Sequence, residues 1–146
     1  TYEEFTRLPE INEKLQAIYR EKTAKRLPGP VGTYYDLRES FDRVNRLMFR
    51  GELKRPQLTW SARRSKRKLG SYDSTLELIS ISRRLDSRRV PRYVLDCIMY
   101  HELLHIVVPP VEKGNRRIVH SPEFKRREKL FPHFEAAEKW LKGRRR

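Results

Sequence analysis

Apolar positions recur at helical spacing near the start of the chain. Phe5, Leu8, Ile11, Leu15, Ile18 and Tyr19 predict helix over residues 2–25, broken at Pro9. Leu27-Pro28-Gly29-Pro30 then reads as a turn. Residues 34–50 carry Leu37, Phe41, Val44, Leu47 and Met48 on one stripe, the pattern of an amphipathic helix, and Gly51 is placed to cap its end. The period then shortens. Residues 57–62, 68–74 and 76–82 read as short strands, expected to form an antiparallel meander. Pro91 opens a long, largely apolar helix over 91–108, with Val94, Leu95, Ile98, Leu104, Val107 and Val108 pointing to burial. Pro109, Pro110 and Gly114 stop it. Two short helices follow, about 122–130 and 132–142, the first with Ser121 as N-cap and Pro122 at its first position. There are no internal repeats. Helices, a small sheet, a buried helix and further helices make the class α+β.

The length of 146 residues predicts one domain over 1–146, with a helical N-terminal segment at 1–30 and the core at 33–142. Only 37% of residues are hydrophobic and 36% are charged, so a compact core must carry a heavily charged surface. Cys97 is the one cysteine, which excludes an internal disulfide and fits a reducing compartment. It lies one turn before His101, where packing beneath a site explains it better than reactivity. No apolar run approaches a membrane span and no signal-peptide pattern opens the chain. The expected location is the cytoplasm or the nucleoid.

His101-Glu102-Leu103-Leu104-His105 lies inside the buried helix. Residues four apart share a helix face and sit about 6 Å apart along the axis. His101 and His105 can therefore reach one ion, with Glu102 one position further round. Neutral imidazole ligates zinc and leaves it a Lewis acid, and a neighbouring carboxylate can move a proton during attack by water. A helix with two exposed histidines and a surface glutamate is the plainer alternative. The apolar flanks argue against it, because buried imidazoles and a buried carboxylate need partners. A catalytic site needs a third protein ligand. The chain has four histidines, so His120 and His133 remain. His120 directly precedes a helix cap, which fixes its place, and is favoured. His133, Glu123 and Glu128 are the alternatives.

The motifs around this pentapeptide resemble the SprT-like metalloprotease family, which includes the Spartan proteases acting on DNA–protein crosslinks. Phe41 to Leu53 is similar to the family's helix ending in an asparagine, an aromatic and G-x-L. Pro56-Gln57-Leu58-Thr59-Trp60-Ser61 resembles its first strand with the W-S pair. Leu69-Gly70-Ser71-Tyr72 resembles its L-G-x-Y strand, and Leu78-Ile79-Ser80-Ile81-Ser82 the strand before the motif helix. His120-Ser121-Pro122-Glu123-Phe124 is similar to its H-G-x-x-F segment, with serine in place of glycine. The similarity runs over residues 33–130, in order. It implies a zincin-like metalloprotease fold, with a three-stranded antiparallel sheet against the H-E-x-x-H helix. It also implies zinc on His101, His105 and His120, with Glu102 as general base and acid. Many members carry a four-cysteine zinc ribbon after this domain, and a lone Cys97 rules one out within these residues.

The net charge is +15, from 34 basic against 19 acidic residues. Ion-pair networks need both signs, so an excess this large points to a polyanionic partner. Basic residues cluster at Arg63-Arg64-Ser65-Lys66-Arg67-Lys68, Arg83-Arg84, Arg88-Arg89, Lys113 to Arg117, Lys125 to Arg127 and Arg144 to Arg146. The first cluster lies between two predicted strands, so Arg63, Arg64, Lys66, Arg67 and Lys68 are the candidate nucleic-acid contacts, without sequence specificity and with DNA favoured. The expected function is a zinc-dependent endopeptidase acting on DNA-associated proteins, with an extended peptide added to a sheet edge. Tyr72, Tyr100 and His133 are candidates to stabilise the oxyanion, although Tyr72 reads more simply as a packed strand residue. Trp60 and Trp140 read as packing residues. Two other readings stay open: a non-catalytic zinc-containing nucleic-acid-binding module, and a metal-dependent hydrolase of non-peptide bonds.

Overall fold

The computed structural model describes residues 11–22, 27–62 and 68–144. Phe5, Leu8, Pro9, most of the 63–68 basic run and residues 145–146 therefore lie outside the described residues. Helix α1 spans 11–22. Its predicted apolar stripe faces outward, with Ile11, Leu15, Ile18 and Tyr19 at least half exposed. Arg20 holds the helix to the sheet through Thr75 O at 2.9 Å.

Helix α2 (Leu37–Phe49) starts at Asp36, whose carboxylate accepts from Arg38 N, and ends in a left-handed Arg50 at φ 57° followed by Gly51 at φ 74°. Its buried face is Leu37, Ser40, Phe41, Val44 and Asn45, whereas Leu47 is 58% exposed. The predicted stripe was one step too wide at its end. Positions 37, 41, 44 and 48 align at 3.6 residues per turn, and 47 lies off that line. Asn45 turns inward because its side chain bonds both ends of the Leu53 peptide, N–H and C=O, at 3.0 Å.

The strands are β1 (Gln57–Trp60), β2 (Gly70–Asp73) and β3 (Leu78–Ile81), in spatial order β1-β3-β2. β2 and β3 form the expected hairpin, turned by Asp73, which accepts from Leu76 N at 3.0 Å. The antiparallel meander is corrected at β1, which pairs parallel to β3, Leu58 opposite Ile79 and Trp60 opposite Ile81. β3 buries Leu78, Ile79 and Ile81, so it takes the centre, covered on both faces. The stretch from Ser61 to Glu77, which includes β2, is long enough to carry the chain back to a parallel start.

Helix α3 (Arg92–Val107) crosses this sheet with Val94, Leu95, Met99, Leu103 and Leu104 fully buried. Where a loop was expected, β4 (Val111–Lys113) and β5 (Arg116–Ile118) form a second hairpin turned at Gly114, φ 64°. Helix α4 (Pro122–Glu128) is capped as predicted, Ser121 Oγ accepting from Phe124 N at 3.2 Å. Helix α5 (Phe134–Arg144) packs on α3. Trp60 is core, its indole N–H donating to Pro30 O at 3.0 Å, and Trp140 packs against the core. Among the described residues no helix is long and apolar enough to cross a membrane.

Candidate metal centre

The last turns of α3 present His101 and His105, and the chain re-enters through β4 and β5 to bring His120 opposite them. One donor nitrogen from each ring lies within 4.8 Å of the others. The ring centroids are 5.1, 5.1 and 5.0 Å apart. Phe124, fully buried, touches all three rings at 5.1, 4.6 and 5.0 Å and forms their common floor. Its place is set by the Ser121 cap, which fixes the first turn of α4 directly after His120. Among the described residues this is the one cluster of potential metal ligands.

His101 Nδ1 lies 2.6 Å from Glu128 Oε1. With Nδ1–H donating to that carboxylate, the lone pair sits on Nε2, the arrangement that orients metal-binding imidazoles. Burial would depress the His101 pKa, but the bond to Glu128 and the charges of Glu102, Glu128 and Glu138 outweigh it and the net shift is upward. Burial and the neighbouring His101 and His120 push His105 down to about 4, so that ring is neutral near pH 7. His120 is also lowered, by burial first and His101 second. Glu128, an alternative ligand by sequence, lies outside the histidine cluster and instead bonds the His101 ring from behind. Glu123 and His133 take no part in the cluster. The His133 ring is exposed beside Tyr93, at 5.7 Å.

Glu102 is 4% exposed, and burial pushes its pKa up to about 7 against the opposing charges of His101 and Lys68. It packs against Gly70 on β2, where an added Cβ would stand 2.9 Å from Oε1 and 3.0 Å from Cγ. The sequence flagged Gly70 only as part of a strand pattern; its role is to admit the carboxylate. Cys97 is buried beneath the cleft, its thiol pushed up to about 12 by burial, and is inert at neutral pH. The Tyr100 hydroxyl is committed to Arg127 O at 2.8 Å, which removes it as an oxyanion donor. Tyr72 lines the cleft from β2, and burial, with Glu77 and Asp73, raises its pKa.

The cleft has a volume of about 870 Å³. It is lined by Lys68 to Tyr72 at the β2 wall, by Ile106, Pro109, Arg117 and Val119, and by Phe134, Glu138 and Leu141 of α5. Of the candidate nucleic-acid contacts, Lys68 is exposed at this wall, and Arg63, Arg64, Lys66 and Arg67 lie outside the described residues.

The structure is similar to the metallopeptidase zymogen of Methanocaldococcus jannaschii jannalysin, with a TM-score of 0.50 and 16% identity over 77% of this chain and 90% of that one. At that identity the likeness establishes the fold. A search of curated proteins finds no match. The SprT-like family matches residues 37–138, from the start of α2 into α5, and so covers the strands, the histidine cluster, Glu102 and Gly70. The chain belongs to the SprT-like family.

Proposed function

We propose that this protein is a zinc-dependent endopeptidase with His101, His105 and His120 as metal ligands and Glu102 as general base and acid. The observation that carries the reading is the convergence of three imidazoles within 4.8 Å, beside a buried carboxylate on the wall of an open cleft. An all-imidazole donor set, with no thiolate or fourth protein donor in the cluster among the described residues, suits a catalytic zinc site rather than a structural one. Zinc, when bound, supplies Lewis acidity toward the scissile carbonyl and an acidified water.

The chain's own residues supply the rest. Glu128 holds His101 in one tautomer. Glu102, with a pKa of about 7, accepts a proton from the attacking water and returns it to the leaving amine. β2 pairs with β3 on one side, and among the described residues its other edge carries no strand. An extended peptide adds there by main-chain hydrogen bonds, with little demand on its side chains. Tyr72 faces the same cleft and is the remaining tyrosine for the oxyanion. The protein is one domain over 1–146 with its catalytic core at 33–142, and it works in the cytoplasm or at the nucleoid. Its substrates are proteins associated with DNA, supported by the charge of +15.

The test is cleavage of an unstructured protein by zinc-loaded parent, Glu102→Gln and His120→Ala, with metal analysis of each. Glu102→Gln should retain zinc and lose about 10²–10⁴-fold in rate; His120→Ala should lose zinc. Equal cleavage by parent and Glu102→Gln removes the carboxylate from the mechanism. Zinc retention without cleavage by the parent supports the nucleic-acid-binding module instead.

A further inference from the structure

The parallel pairing of β1 with β3 sets the chain leaving β1 beside an arginine-rich segment that leaves β3. Both strands finish at the same end of the sheet, so the chain leaving β1 at Ser61 and the chain leaving β3 at Ser82 run side by side. Arg83 N donates to Ser61 Oγ at 3.1 Å, and the Arg83 guanidinium donates to Ala62 O at 3.3 Å. A short 3-10 turn at Arg83–Leu85 follows, started by Ser82. Four arginines at 83, 84, 88 and 89 are exposed, while the apolar residues between and after them, Leu85 and Val90, are 2% and 4% exposed.

The one acid in this segment is turned to the backbone of a neighbouring loop. Asp86 accepts three backbone N–H groups, from Thr33 at 2.7 Å and from Tyr34 and Tyr35 at 2.9 Å. The loop comes this close because residue 32 is glycine; a Cβ there would overlap the Asp86 carboxylate. Among the described residues no carboxylate forms an ion pair with Arg83, Arg88 or Arg89. The same clamp sets Tyr34 on the rim of the arginine segment. Tyr34 is 55% exposed, its ring held edge-on against Tyr35 at 4.7 Å.

We infer that Tyr34, Arg83, Arg84, Arg88 and Arg89 form a binding surface for single-stranded nucleic acid. Guanidinium groups pair with phosphate oxygens in a bidentate fork. An exposed aromatic beside them gives a base a stacking platform. A membrane fits less well, because the apolar side chains within the arginine segment point inward. The surface adjoins the cleft: Ser82 N donates to Leu69 O at 2.9 Å, and Leu69 and Gly70 line the cleft wall. A strand held here would present its bound protein to the β2 edge. The inference extends the DNA-associated part of the proposed function. Its test requires no cleavage, so the two fail separately.

The experiment is fluorescence anisotropy of a labelled oligothymidylate, and of a duplex, titrated with the full chain at salt between about 50 and 200 mM. The variants are Arg88→Gln/Arg89→Gln, the quadruple change with Arg83→Gln and Arg84→Gln, and Tyr34→Ala. Lys139→Gln/Lys142→Gln on α5 is the charge-matched control. The quadruple variant should weaken binding at least about tenfold and lower the salt slope by about 2 to 3; the double variant, which removes no hydrogen bond of the fold, should lower it by about 1. Tyr34→Ala should weaken single-strand binding about tenfold and leave the salt slope unchanged. Parent-like binding by the arginine variants overturns the surface, as does an equal loss in the lysine control. Tighter binding to duplex, or to anionic vesicles, overturns the single-strand assignment.

Discussion

Helix α3 carries two buried polar clusters, and they differ in whether they are closed. In its first half, Asp96 accepts from Arg43 at 2.9 Å through each carboxylate oxygen and from Ser40 Oγ at 2.7 Å. Every contact is with α2, and the cluster locks the two helices together. In its second half, His101, Glu102 and His105 face a cleft. Glu102 has the bare Cα of Gly70 beside it. Both carboxylates are almost wholly buried, 8% and 4% exposed. The first is fully engaged by one guanidinium and one hydroxyl and can do no chemistry. The second keeps a pKa near neutrality and an open side. Burial of charge alone therefore does not mark the site; burial with access does.

The two clusters separate most directly at Asp96. Asp96→Ala leaves Arg43 half-buried without its carboxylate and should cost about 3 kcal/mol of stability in urea unfolding. Metal affinity of the folded fraction should be unchanged. A loss of metal with stability intact would mean that the two clusters are coupled. At the other end of the helix, Gly70→Ala should do the reverse. The new methyl displaces the Glu102 side chain, a flexible group, so stability should move by less than about 1 kcal/mol while kcat/KM falls up to about 10²-fold. Parent-like turnover would show that Glu102 needs no such room.

The smallest effect is in the pH dependence of the metal-free protein. His105 is depressed to about 4, so its contribution is present above its unfolded value of 6.5 and is lost as pH falls through 4. Glu102 is raised to about 7, so its contribution is present below its unfolded value of 4.5 and is lost as pH rises through 7. The two oppose each other between pH 4.5 and 6.5 and nearly cancel. Glu102→Gln removes one of them. The variant should be more stable than the parent at pH 7 and should lose stability more steeply on acidification, as read by urea unfolding at successive pH values. Parallel curves would show that the two groups do not titrate as described.

Much of the centre is legible locally. The four-residue spacing of His101 and His105 needs only helical geometry, and the Ser121-Pro122 cap announces the place of His120. The Cys97 position and the burial of α3 also follow from periodicity. Other parts are silent in the residue pattern. Phe124 looks like any apolar helix residue, and only packing makes it the floor under three rings. Gly70 looks like a strand weakness until Glu102 is placed against it. Tyr100 is a reasonable oxyanion candidate by position, and one hydrogen bond to Arg127 O removes it. Leu47 is expected inside and is exposed, while Asn45, absent from the apolar stripe, is buried because it has the Leu53 peptide to bond, which stripe assignment cannot see.

The sequence by itself determined the helices, the placing of His101 and His105 on one face of α3 and the sign of the net charge. Each of these rests on spacing within a few residues or on composition, and both survive without knowledge of what lies across the fold. The tertiary structure decided that β1 runs parallel to β3, that Gly70 abuts Glu102, that Glu128 backs His101 and that Tyr34 joins four arginines on one rim. Those are contacts between segments far apart in the chain. They depend on which strand is apolar enough to take the centre of the sheet, a competition that no local pattern records.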